Sequence, residues 1–238
     1  MNRRGLLSGA ALVAAWAVTG CKAAAESAAV KLPAPMLDTA APAPSATETA
    51  VFAGGCFWGV QAVFQHTQGV LNAVSGYSGG PREHAIYDYV SAGLTTHAEA
   101  VQISYDPKQI SYGRLLQVLF SVAHDPTQLN RQGPDSGKHY RSAIFYQDAR
   151  QKEVAERYIA QLDAAKVFPD RIVTQLTPLT AFYPAEPYHQ DYATLNPNSP
   201  YIAQFDRPKI ISLMTLMPEV YRETPVLVSG KKIDRPTE

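Results

Sequence analysis

Cysteine is nearly missing from this chain: its 238 residues contain two, Cys21 and Cys56. Two cysteines cannot build a disulfide framework, and with six scattered histidines they form no ligand cluster at a recognised spacing, so neither a metal nor another cofactor is expected. An excess of one charge is missing too. Lys plus Arg number 21 and Asp plus Glu number 21, which removes the basic surplus that would point to nucleic acid, and no nucleic-acid partner is expected. There is no internal repeat. The longest apolar run, Leu6 to Val18, falls short of the ~20 residues that a membrane-spanning helix needs. What remains, 46% hydrophobic and 18% charged, suits one soluble domain with a substantial core plus some tail sequence, acting as a monomer.

The short apolar run makes sense as a processing signal. Arg3 and Arg4 supply a basic start, Leu6 to Val18 the apolar stretch, and small residues precede Cys21. Val18-Thr19-Gly20-Cys21 resembles the bacterial lipobox, in which the cysteine is diacylated and becomes the new N-terminus. Each buried acyl methylene adds about 0.8 kcal/mol, so such a cysteine would anchor the protein firmly to a membrane, on its extracytoplasmic and periplasmic side. Arg3-Arg4 also leaves a twin-arginine export route open. The expected division is a signal over 1–20, Cys21 and an Ala- and Pro-rich spacer over 21–49, a folded domain over 50–221, and an extension over 222–238 that packs along the surface.

Within the domain, Ala50 to Ala53 reads as a short strand ending at Gly54-Gly55, and a helix follows with Phe57, Val60 and Phe64 on one face. Cys56 therefore sits at a strand-to-helix turn. From Ala98 to Tyr105 the period is two, which puts Glu99, Val101, Ile103 and Tyr105 on one strand face. Ser111 caps a helix carrying Leu115, Leu116, Leu119 and Val122, and Asp148 opens another with Val154, Tyr158 and Leu162. Strands are expected over Arg141 to Tyr146 and Arg171 to Leu176. Strands and helices without a βαβ repeat imply an α+β fold: a mixed, mostly antiparallel sheet with packed helices in two layers.

If Cys21 is acylated, Cys56 is a lone thiol in an oxidising compartment, a liability unless it works. A helix N-terminus favours the thiolate and should lower the thiol pKa from about 8.5, although a free cysteine is as often buried and inert. The neighbourhood of Cys56 is distinctive. Gly55-Cys56-Phe57-Trp58-Gly59 resembles the signature of the type A peptide methionine sulfoxide reductases. The resemblance continues, in that family's order, through Thr96-His97-Ala98-Glu99, the run from Asp125 to Gly133, Asp135, Tyr140 to Ile144, and Phe182 to Glu186 with Tyr188-His189-Gln190. It covers about Val51 to Pro208.

That resemblance implies reduction of the S epimer of methionine sulfoxide, free or in peptides and proteins. It makes Cys56 the nucleophile, Glu99 the proton donor, and Tyr87 and Tyr140 the hydroxyls that hold the sulfoxide oxygen, since oxygen must be protonated or hydrogen-bonded as it leaves sulfur. The apolar strand face of Glu99 should raise its pKa and keep it acidic, whereas a strand Glu is otherwise usually solvated or salt-bridged. Phe57 and Trp58 would hold the substrate methyl group, and Asp135 and His189 would lie near its main chain, with a purely structural hydrogen-bonding role left open for His189.

Three departures from the family stand out. Gln61 occupies a position where many members carry Glu, and Thr96 one where Gly is expected. No cysteine follows Cys56, where many members carry resolving cysteines. A sulfenic acid on Cys56 would then depend on a thioredoxin-like or glutaredoxin-like protein or a small thiol. Two other readings stay open: a cysteine hydrolase with His97 or His189 as base, and a non-catalytic lipoprotein that binds or senses through Cys56.

Overall fold

Alternation along the first strand decides how the domain is layered. In the computed structural model, which describes residues 29–39 and 47–230, β1 (Glu48–Gly54) buries Ala50 and Phe52 toward a large core and Val51 and Ala53 toward the opposite face. The expected signal over 1–20 and the acylation site at Cys21 lie outside the described residues. Helix α1 (Phe57–Gln65) follows, then β2 (Val70–Ser78), the short α2 (Tyr87–Ser91), β3 (Ala98–Tyr105) and α3 (Tyr112–Val118). The two-residue strands β4 (Arg131–Gln132) and β5 (Asp135–Ser136) form a small hairpin, and β6 (Ser142–Tyr146), α4 (Ala149–Ala165), β7 (Gln175–Pro178), β8 (Phe182–Pro184), α5 (Tyr192–Leu195) and α6 (Arg207–Leu216) complete the domain.

The main sheet has the order β7-β6-β1-β3-β2-β8 and is antiparallel except for the parallel β6–β7 pair. Val101, Ile103 and Tyr105 of β3 join Phe52 in the core under the helices, so the period-two face extends from Glu99 as expected. Ala98, Ala100 and Ala143 line the other face with Phe145, against Leu179 and Phe182. The fold is thus the expected two-layer α+β arrangement. Ser111 caps α3 by accepting the Arg114 N–H at 3.1 Å, and Asp148 caps α4 by accepting the Gln151 N–H at 2.8 Å.

Two boundaries differ from expectation. The second of the later strands begins at Gln175 rather than Arg171, because the Ile172 N–H donates to Asp163 and the Val173 N–H to the Pro126 carbonyl, leaving neither for a sheet ladder. The spacer assigned to 21–49 is also not free throughout. Leu32 is buried, its N–H donates to Ser121 Oγ and its carbonyl accepts from Gln117; Pro33 and Ala34 carbonyls accept from Tyr158 and Gln161, and Asp38 accepts from Ser111 and the Gly113 N–H. Residues 29–39 form a strap over α3 and α4, and the domain's first strand starts at Glu48 rather than Ala50. At the other end, the Val228 and Ser229 N–H groups donate to the buried Asp191 carboxylate, which holds the C-terminal extension on the surface as far as it is described.

Candidate active site

Three consecutive residues, Gly54-Gly55-Cys56, turn the chain from β1 into α1 with the sulfur at the helix start. Gly55 has φ +92°, and a Cβ there would lie 2.5 Å from Gln132 Cβ, so both conformation and space require glycine. Cys56 is 8% exposed and opens into a cavity of about 200 Å³ lined by Phe57, Trp58, Tyr87, Glu99, Asp135, Tyr140 and Tyr201. β1–α1 supplies Cys56, Phe57 and Trp58, α2 supplies Tyr87, β3 supplies Glu99, the small hairpin supplies Asp135, and the turn before β6 supplies Tyr140.

Glu99 is 2% exposed, and its Oε2 accepts the Phe57 N–H at 3.0 Å. That contact occupies one carboxyl oxygen at the helix start. Burial raises the Glu99 pKa to about 8, against the Phe57 N–H, which lowers it, with Asp135 and Asp206 raising it further. The carboxyl is therefore chiefly protonated at neutral pH. The thiol does not follow the expectation drawn from its helix position. The Trp58 N–H and Lys209 do favour the thiolate, but burial, then Glu99, then Asp206 outweigh them and push Cys56 well above the ordinary thiol value. The helix terminus is present and desolvation is the larger effect.

Tyr87 and Tyr140 are held as neutral hydroxyls, raised first by burial and then by the Glu99 charge. Glu186, in one of the blocks singled out in the sequence, aims α2: it accepts the Tyr87 N–H at 2.9 Å and the Tyr77 hydroxyl at 2.8 Å. His189 does not line the cavity. Its Nδ1 accepts from Trp58 Nε1 at 3.2 Å and its ring lies 5.1 Å from Phe57 and 4.3 Å from Tyr87, so it braces the aromatic wall from behind, which is the structural role left open for it. Trp58 also stacks on Tyr192 with ring centroids 3.9 Å apart.

Sequence reading missed Tyr201, whose hydroxyl donates to Asp135 and whose ring meets Trp58 edge-on. Its signal was faint: one Tyr after Asn196-Pro197-Asn198-Ser199-Pro200, brought to the site only by folding. Gln61 is suited to its place. Its amide donates to the Ala73 carbonyl at 3.0 Å and to Gln190 at 2.8 Å while its oxygen accepts the Asp191 N–H, and a carboxylate could do only the accepting half. Thr96 donates its hydroxyl to the Gly79 carbonyl, and its own carbonyl accepts from Arg141.

This constellation offers a thiol, a protonated carboxyl and two neutral phenols around an aromatic-walled space, a set that can attack an electrophilic centre while protonating an oxygen on it. The chain as a whole is similar to known proteins. The family model described as peptide methionine sulfoxide reductase matches residues 48–215. Peptide methionine sulfoxide reductase MsrA 2 of Mesorhizobium japonicum is 59% identical over 182 residues, covering 76% of this chain and 93% of that protein. The MsrA 2 of Synechocystis is 54% identical over 69% of this chain and 77% of its own length. Among solved structures, methionine sulfoxide reductase A of Corynebacterium diphtheriae is 36% identical with TM-score 0.56, covering 71% of this chain and 85% of that one, and reduced Mxr1 from Saccharomyces cerevisiae is 32% identical with TM-score 0.60, covering 66% and 90%.

Proposed function

The chain belongs to the peptide methionine sulfoxide reductase family, type A, and reduces methionine sulfoxide; from that premise we propose how its own residues carry the reaction. The substrate methyl group rests against Phe57 and Trp58, and the Tyr87 and Tyr140 hydroxyls donate to the sulfoxide oxygen of the S epimer. Glu99 protonates that oxygen as Cys56 sulfur bonds to the sulfoxide sulfur, and the thiol proton passes to the carboxylate so formed. Collapse releases methionine. The sulfoxide sulfur gains two electrons, Cys56 sulfur loses two, and Cys56 ends as a sulfenic acid carrying one oxygen in place of the one the substrate lost.

The observation that carries this reading is the convergence of Cys56, the proton-holding Glu99 and both tyrosines on one small cavity. No histidine lines that cavity among the described residues, which weighs against a hydrolase with a Cys-His pair. Cys56 has no partner cysteine in the chain other than Cys21, so an external thiol, a thioredoxin-like or glutaredoxin-like protein or a small thiol, reduces the sulfenic acid and releases water and a disulfide. Reaction without any reductant should give a single methionine per chain and a sulfenic acid on Cys56 that traps with dimedone. Continued turnover, or a disulfide within one chain, would contradict it.

We also propose that the enzyme works outside the cytoplasm on a lipid anchor at Cys21, where it meets oxidised proteins within reach of its spacer. Support comes from the Arg3-Arg4 start, the Leu6 to Val18 run and the Val18-Thr19-Gly20-Cys21 motif. A Cys21→Ala chain should leave the membrane fraction, and its retention there would refute the anchor.

A further inference from the structure

Behind the nucleophile lies a charged pair that the reaction scheme does not use. A five-residue π-helical stretch, Ile202–Asp206, leads into α6, and Asp206 at their junction is fully buried. Its Oδ1 lies 3.1 Å from Lys209 Nζ, whose side chain is 11% exposed. Both groups press on Gly59 in the first turn of α1. A Cβ at Gly59 would stand 2.1 Å from Asp206 Oδ1 and 2.9 Å from Lys209 Nζ, so the last glycine of the Gly55-Cys56-Phe57-Trp58-Gly59 motif is what lets the pair approach. A buried ion pair adds little stability, because desolvating two charges offsets their attraction. Its position therefore points to an electrostatic use.

We propose that Asp206 and Lys209 are positioning residues for the reductase reaction, a charged pair seated against the first turn of α1 that sets the field in which Cys56 and Glu99 hold their protons. The inference rests on the reading of Cys56 as nucleophile and Glu99 as acid. From β3, Glu99 faces Cys56, and the Tyr87, Tyr140 and Tyr201 hydroxyls are within electrostatic reach of it. Asp135 acts on Glu99, and the buried His124 feels Lys209. Against that background Asp206 raises both Cys56 and Glu99, while Lys209 lowers Cys56. Within a site where burial already favours the protonated forms, Asp206 thus adds to the hold on both protons that the attack rearranges, and Lys209 tempers it at the thiol. A neutral thiol also resists stray oxidation.

The test uses the full chain as wild type, Asp206→Asn, Lys209→Met and Lys209→Arg. Two profiles are recorded against pH: alkylation of Cys56 by iodoacetamide, resolved from Cys21 by peptide mass spectrometry, and kcat/KM for sulfoxide reduction. Asp206→Asn should move the alkylation midpoint down by about one pH unit, or about tenfold in rate below the midpoint, and bring the alkaline fall of kcat/KM to lower pH. Lys209→Met should move the alkylation midpoint up and Lys209→Arg restore it. Unshifted midpoints in both neutralising variants, whatever their overall rates, would overturn the proposal. If Asp206→Asn does not fold, the comparison of Met with Arg at 209 decides alone. Because alkylation needs no sulfoxide, a failure of the field and a failure of the reductase reading give different results.

Discussion

Replacing Glu99 by Gln should move activity and alkaline stability in opposite directions. The folded chain holds the Glu99 proton to a pKa of about 8, whereas the unfolded chain releases it near 4.5. Stability that depends on this carboxyl is thus fully present below pH 4.5 and is lost as the pH rises through about 8. At about 1.4 kcal/mol per pH unit, the interval from 4.5 to about 8 sets a ceiling near 5 kcal/mol on the alkaline loss. Gln has no proton to lose, and its oxygen can still accept the Phe57 N–H. Glu99→Gln should therefore match wild type in urea unfolding at pH 4 and exceed it by up to that ceiling at pH 9. Its sulfoxide reduction should fall by about 10²- to 10⁴-fold, the usual contribution of a positioned acid, and wild-type activity should itself decline as pH rises through about 8. Near-normal turnover in the variant, or a loss of its alkaline stability, would refute this account of Glu99.

Other consequences follow from particular contacts. Leu32, which docks the strap on the domain, is 2% exposed, so Leu32→Ala should lower stability by about 2–5 kcal/mol, read as a drop in the urea midpoint with the methionine yield per folded chain unchanged. Gly55→Ala meets both φ +92° and the Gln132 side chain, and should cost at least about 1–3 kcal/mol together with most activity, seen by thermal unfolding and sulfoxide assay side by side. Trp58→Ala removes the indole that stacks on Tyr192 and lines the cavity, and should raise KM for a blocked methionine sulfoxide by about tenfold or more, leaving the alkylation of Cys56 measurable.

Local signals carried the sequence reading a long way. The Gly-Gly turn before Cys56, the two-residue period of β3 and the caps at Ser111 and Asp148 each depend on neighbours a few positions away, and each is found where expected. Cys56, Phe57, Trp58, Tyr87, Glu99, Asp135 and Tyr140 share one cavity, and the family resemblance, rather than any period, is what grouped them in the sequence. What escaped depends on distant contacts. Tyr201 reaches the cavity, and Asp206 and Lys209 the first turn of α1, only when the segment from Tyr201 through α6 packs on α1, and nothing in their own sequence neighbourhood shows where they go. The strap at residues 29–39 has the composition of a spacer, and its docking is carried by Leu32, Asp38 and the backbone. The raised Cys56 thiol follows from burial, which position at a helix start does not reveal.

The most direct test of the central claim is to give the chain separately prepared S and R epimers of a blocked methionine sulfoxide with dithiothreitol, beside Cys56→Ser. The account predicts consumption of the S epimer alone and its abolition in Cys56→Ser. Consumption of the R epimer, or of the S epimer by Cys56→Ser, would contradict it.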